Sequence, residues 1–303
     1  MSAQRKMYQL NDSPKTLING FKDSAVIGNL LFQWGQDVSV SDADQTFSFK
    51  DKFSGKVHTV LTTISYKNVK SCLAIGGWTQ SAFTINRHND INGNMPFCWV
   101  AIGEAPAGTG EDDRPSSYRI LENYENVKLV WGKSTSTSDG TQNFELSSSL
   151  DNELAAIFTT AAGANFRWNL SISDLDAANK RFSINRGNSI NGGLPFQYLA
   201  LGYTAGKKAS SPGLLFSDEE NGLLLQWGKA TSTSDYEQAF SLHSSFADTN
   251  FSVITTFSSA NMPYGLSLTR PVNNRSFIID RDGDIDGNRD FFWMAVGRRP
   301  KTN

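Results

Sequence analysis

The feature that most constrains this chain is that it repeats itself three times. Three stretches begin alike: "NLLFQWGQDVSVSDADQTFSF" from Asn29, "NVKLVWGKSTSTSDGTQNFEL" from Asn126 and "NGLLLQWGKATSTSDYEQAFSL" from Asn221. Three more end alike: "FTINRHNDINGNMPFCWVAIG" from Phe83, "FSINRGNSINGGLPFQYLALG" from Phe182 and "FIIDRDGDIDGNRDFFWMAVG" from Phe277. A Trp-Gly pair recurs at Trp34, Trp131 and Trp227, 97 and then 96 residues apart. That period is too long for a stacked solenoid, whose repeats run about 20 to 50 residues. Each copy is long enough for a small domain with a thin core of its own.

The copies read as strands. The first holds five or six: "LLFQWG", "QTFSFK", "VHTVLTTIS", "SCLAIGGW", "AFTINR" and "PFCWVAIG". They are rich in Phe, Val, Ile, Thr and Trp, and many alternate. "SDLDAANKR" near Asp174 is the best helix signal, at one or two turns. Asn92-Gly93, Asn191-Gly192 and Asp286-Gly287 fall between the last two strands of each copy, where a tight hairpin needs positive φ. In the exit strand Phe97 and Trp99 point one way, while Cys98 and its counterparts Gln197 and Phe292 point the other, toward solvent or another module.

The expected fold is all-β, with three tandem small antiparallel β-sandwich modules. The boundaries are an attachment segment 1–28, module one 29–106, a linker 107–125, module two 126–203, a linker 204–220 and module three 221–303. The linkers are rich in Gly, Pro, Ser and charge, and their length suits modules set side by side in a pseudo-threefold arrangement.

Composition removes several function classes. With 28 basic and 30 acidic residues among 303, no basic field points to nucleic acid. No apolar run is long enough to insert in a membrane, and the polar start lacks the apolar stretch of a signal peptide, so synthesis in a host cytoplasm is expected. Cys72 and Cys98 match no zinc spacing and read as buried or half-buried thiols.

"LVWG", "FxINR" and "FxWxAIG" together resemble the C-terminal knob domain of phage tail fibres, a family similar in appearance to H-type lectins. The resemblance covers all three modules. It implies a virion protein, a trimeric unit at a fibre tip and host-surface binding, often to sugars. Three copies in one chain imply either a pseudo-trimer within the chain or a homotrimer of stacked knobs.

No nucleophile elbow, phosphate loop or His-Glu metal pair occurs, so no enzyme is expected. His58, His88 and His243 occupy unrelated module positions. Arg87, Arg186 and Arg281 recur at the start of the hairpin tip. Their guanidinium forks suit a sugar or carboxylate, or else a bridge holding the assembly. Aromatic rings that could stack on sugars occur at Trp78, Trp168 and Tyr264, with Tyr66 and Phe166 nearby in the variable mid-module loops.

The acids of "DRDGDIDGNRDFFW" alternate as in a calcium loop, but the positions for Gly and the closing Glu hold Ile285 and Phe291. Asp282, Asp284 and Asp286 are therefore a candidate calcium set for module three alone, and no other cofactor is implied. The leading reading is a non-enzymatic virion adhesin for host-surface glycan, joined to other virion proteins through residues 1–28. The alternatives are a structural collar, head or tail component without a sugar site, and a cellular H-type-like lectin.

Overall fold

The computed structural model describes residues 20–65, 73–87, 93–106, 117–121, 126–151, 153–163, 170–186, 192–204, 213–216, 222–234, 236–258, 266–281 and 287–301. Among them are 21 strands and no helix. Module one is β1 (Phe21–Ile27), β2 (Leu30–Ser39), β3 (Gln45–Ser48), β4 (Val57–Ile64), β5 (Leu73–Trp78), β6 (Ala82–Arg87) and β7 (Met95–Glu104). Module two is β8 (Tyr118–Leu121), β9 (Val127–Ser136), β10 (Thr141–Glu145), β11 (Ala156–Ala161), β12 (Ser171–Asp176), β13 (Arg181–Asn185) and β14 (Leu194–Tyr203). Module three is β15 (Leu214–Phe216), β16 (Leu223–Ser232), β17 (Gln238–Ser241), β18 (Ser252–Phe257), β19 (Ser267–Asn273), β20 (Ser276–Asp280) and β21 (Arg289–Arg298).

Every module has one topology. A four-stranded antiparallel sheet, β1-β2-β7-β4 in module one, faces a three-stranded sheet, β3-β6-β5; modules two and three repeat both orders. The first strand of each module lies upstream of the bounds expected from sequence. β1 falls in 1–28, β8 in 107–125 and β15 in 204–220, yet each pairs with the Trp-Gly strand. β8 and β15 are short, at four and three residues, and β1, at seven, carries Lys22, Asp23 and Ser24 in its first half, so none of the three shows a clear alternation. The helix expected near Asp174 is instead β12 followed by a turn, in which Lys180 takes φ 59° and Asn179 donates to the Asp176 carboxylate.

The Trp-Gly pair follows from two packing needs on adjacent residues. Trp34, Trp131 and Trp227 point out of their sandwiches into the contacts between modules. The next residue points inward, where Gly35, Gly132 and Gly228 lie opposite Trp99, Tyr198 and Trp293. A Cβ at Gly35 would sit 2.7 Å from the Trp99 ring, and one at Gly132 would sit 2.5 Å from the Tyr198 hydroxyl. Glycine is therefore the space that the aromatic ring fills.

The modules close into a ring. β4, β11 and β18 are sheet edges, and an edge strand carries unpaired backbone groups that must find partners if buried. Here the next module supplies them. Thr62 N–H donates to Thr160 Oγ1 (3.2 Å), Thr159 N–H to Thr256 Oγ1 (3.2 Å), and Thr255 N–H to Thr63 Oγ1 (2.9 Å). The sequence of donors, one to two, two to three, three to one, is pseudo-threefold.

The outward position of the exit strand adds to each seam, and it faces another module rather than solvent. Gln197 receives the Val60 N–H of module one at 3.2 Å and donates to the Val60 carbonyl. Cys98 is buried within the core of module three, and Phe292 within the cluster shared with module two. Burial pushes the Cys98 thiol up to about 12, despite the Val253 backbone and the Ser252 and Ser65 side chains beside it. A second tie joins modules three and one: Arg298 Nε and Nη2 each donate to the Asp23 carboxylate at 2.7 Å.

Magnitudes separate the roles of these contacts. Burying a Trp removes about 150–250 Å² from water, up to about 4–6 kcal/mol each. A threonine hydrogen bond contributes only about 1 kcal/mol net. Burial therefore drives the seams together, and the threonines fix their register.

Two outcomes are expected. Thr63→Val removes an acceptor but keeps the shape, leaving the Thr255 N–H buried and unpaired. Denaturant titration of the full chain should show a loss of about 1–3 kcal/mol. The second concerns acid. Burial alone would raise the Asp23 carboxyl, but hydrogen bonds from Arg298, Lys50 and the Ser24 N–H outweigh it and hold the pKa below its ordinary value. Stability from this group is present above the unfolded-state pKa and lost as pH falls through the folded one. The chain should lose stability below about pH 4, and Arg298→Met should reduce that acid-dependent loss in a pH series of denaturation curves.

Candidate binding surface at the loop end

All three modules point the same strand ends in one direction. In module one the register Ser39↔Met95, Ile64↔Phe97 and Leu73↔Arg87 gathers the ends of β2, β4 and β6 with the starts of β5 and β7. Modules two and three repeat this with Ser136↔Leu194 and Ala161↔Phe196, and with Ser232↔Arg289 and Phe257↔Phe291. Three connections per module thus leave from this end: the one after the Trp-Gly strand, the mid-module loop and the hairpin tip.

The residues bracketing the mid-module loops meet at the pseudo-threefold axis. Thr62, Thr159 and Thr255 donate their hydroxyls to the carbonyls of Leu73, Leu170 and Leu266 at 3.4, 3.3 and 3.5 Å, pinning each loop's return strand. The axial cleft between them is about 20 Å³, room for little more than a water. Any larger ligand at this end must be held by the loops, not by the cleft.

The recurrent arginines are anchors of the hairpin tip. Arg87, Arg186 and Arg281 are each 2% exposed. Arg87 Nη1 donates to the Gly93 carbonyl at 2.6 Å and to the Ser39 carbonyl at 3.2 Å. Arg186 Nη1 donates to the Gly192 and Ser136 carbonyls, and Arg281 Nη1 and Nε donate to the Gly287 (2.5 Å) and Ser234 (2.6 Å) carbonyls. The glycine carbonyls belong to the turn itself, where Gly93, Gly192 and Gly287 take φ of 91°, 84° and 76°. Asp42 and Asp139 neutralise two of the buried charges, at 2.9 Å from Arg87 Nε and 3.2 Å from Arg186 Nη2. Each guanidinium therefore staples the loop after the Trp-Gly strand to the hairpin tip, and all three leave the ligand-binding set.

Trp78 also leaves it. The ring lies at the opposite end of β5 from the loops, donates Nε1 to the Val57 carbonyl at 3.1 Å, and carries Lys133 Nζ of module two 3.8 Å above it. Burial, then the charge of Lys56, lowers the pKa of Lys133. This is a seam contact, beside the stack of His58 on Trp131 (4.2 Å between centroids). Trp168, Tyr264, Tyr66 and Phe166 lie outside the described residues, as do Asp282, Asp284 and Asp286 with the calcium question they raise.

One ring was missed. Tyr236 is 79% exposed, the most exposed large hydrophobic side chain among the described residues. It sits on the loop after the Trp-Gly strand of module three, where modules one and two hold Ala43 and Gly140. The signal was available in the sequence, as a position that varies inside a repeated "SD-x-x-Q" loop.

Residues 27–104 and 218–298 match the protein family described as "Putative tail fiber protein gp53-like, C-terminal". The chain belongs to this family. It is a phage tail-fibre protein, a component of the virion. The matched residues are the first and third modules of the fibre protein; its middle module keeps the same sheet order without being matched. No curated protein and no solved structure matches the chain.

Removing one anchor tests the stapling. Arg186→Leu in the fibre protein leaves the Gly192 and Ser136 carbonyls and Asp139 without their donor. At about 1.5–3 kcal/mol for hydrogen bonds to a charged group, the loss should be at least about 2 kcal/mol by denaturant titration.

Proposed function

We propose that this tail-fibre chain is a non-enzymatic adhesin that binds host-surface carbohydrate through the loop end of a single-chain pseudo-trimer. The observation that carries the reading is a contrast. The framework is repeated three times down to its glycines, arginine anchors and threonines, while the segments leaving the loop end differ from copy to copy. A rigid scaffold with diversified loops is the usual arrangement for recognition. Three such loop sets side by side let weak sites act together, since the second and third engagements become intramolecular. Tyr236 is the described residue best suited to stack on a sugar ring, with a flat apolar face and a hydroxyl exposed to solvent.

The test is a glycan array and a host-cell binding assay with the purified chain. Tyr236→Ala should weaken binding about five- to tenfold and leave the melting temperature unchanged, because so exposed a ring adds little to the core. Light scattering should give one chain of 33.3 kDa. Binding to neither glycan nor host cell would overturn the adhesin reading in favour of a structural tail component, and a threefold mass would overturn the single-chain trimer.

A further inference from the structure

The three seams are equivalent in backbone and different in filling. At the seam between modules one and two, the Trp78 indole occupies the space between the Val57 carbonyl and Lys133. At the seam between modules two and three the same positions hold Leu175, Leu154 and Lys229. There the Leu154 carbonyl receives Trp227 Nε1 at 2.9 Å instead. Leucine is much smaller than an indole, and a cleft of about 560 Å³ opens at this seam. That lies within the range of small-molecule sites, about 300–1,000 Å³.

The cleft is lined for a hydroxyl-rich ligand. Leu175 and Phe292 give it an apolar side. Glu153 and Asp174 are exposed at its edge and have no ion-pair partner among the described residues. Lys229 also lines it, with its ammonium 3.4 Å from Asp290. His243 is held by the Trp227 carbonyl at 3.2 Å. Ser173 Oγ is buried with no hydrogen-bonding partner among the described residues, and a buried hydroxyl without a partner is costly. Two carboxylates can each accept from neighbouring hydroxyls, as can the His243 Nδ1 once Nε2–H is given to the Trp227 carbonyl; an ammonium can donate, and an apolar wall suits the C–H face of a pyranose.

We infer that the cleft between modules two and three is a second ligand site of the tail-fibre protein, taking a neutral saccharide. Its ligand class rests on the carbohydrate reading above, but its place does not: it lies at a seam rather than at the loop tips. The two carboxylates exclude acidic sugars by repulsion. At the first seam Trp78 fills the corresponding space.

Saturation-transfer NMR on the full chain, with the methyl glycosides of glucose, galactose and N-acetylglucosamine and with sialic acid as the anionic probe, tests this. At least one neutral glycoside should bind and sialic acid should not. Leu175→Trp should rebuild the filled seam and weaken binding at least tenfold. Glu153→Gln with Asp174→Asn, which keeps the cleft open and does not depend on accommodating an indole, should weaken it by about tenfold or more. Tyr236→Ala should leave this binding unchanged. If a neutral glycoside binds but neither cleft variant weakens it, the cleft is wrong and the adhesin reading stands. If no neutral glycoside binds here while the glycan array is positive, the cleft again fails alone. If both are negative, the two readings fall together.

Discussion

A β-sheet edge cannot be buried until its free backbone groups are bonded, and this requirement organises the whole tail-fibre chain. Each module buries an edge strand, β4, β11 or β18, against a neighbour. Thr160, Thr256 and Thr63 receive the N–H groups that would otherwise be stranded there. Each of these hydroxyls belongs to a strand that offers its own N–H onward to the following module. Such an exchange is satisfied only when the ring is closed. At the angle these modules adopt, two of them would leave one donor and one acceptor unmatched; the third closes the ring, so that each edge strand gives one N–H, from Thr62, Thr159 or Thr255, and receives one at Thr63, Thr160 or Thr256.

The hydrogen bonds are weak individually, and the large apolar area at the seams supplies most of the attraction. What the threonines add is selectivity of register. A slip of one residue would turn each hydroxyl to the opposite face and bury three N–H groups without partners. The same strands also carry the hydroxyls that hold Leu73, Leu170 and Leu266 at the base of the mid-module loops. Closing the ring and positioning the loop end are therefore done by adjacent residues, and the loops inherit the threefold order of the core.

The repeated framework was legible in the sequence because repetition multiplies a weak signal. One Trp-Gly or Asn-Gly pair says little; three at matching positions give the module, its hairpin and its direction. What repetition could not convey was the partner of each side chain. Arg87, Arg186 and Arg281 carry the same fork of donors whether they face a ligand or a turn, and only the nearby Gly93, Gly192 and Gly287 carbonyls decide it. β8 and β15 escaped because short edge strands in Gly- and Ser-rich surroundings have no room to show a period. Trp78 looked like a loop aromatic because its chain neighbours are polar, although its spatial neighbours belong to another module.

A true homotrimer must solve each seam identically, whereas one chain can solve each separately. The position after Phe97, Phe196 and Phe291 shows this most directly. Cys98 enters the apolar core of module three, Gln197 bonds the backbone of Val60, and Phe292 packs against module two. Those are a compact thiol, a polar fork and a large ring at one backbone site. The position after Trp-Gly diverges likewise, as Gln36 donates to the Phe251 carbonyl and Lys133 rests on Trp78, while Lys229 pairs with Asp290 beside an open cleft. Once the threonines hold the backbone in register, each seam is free to be filled, bonded or left open. A fused trimer can thereby close one seam with an indole and leave a cleft at another, a division that identical subunits cannot make.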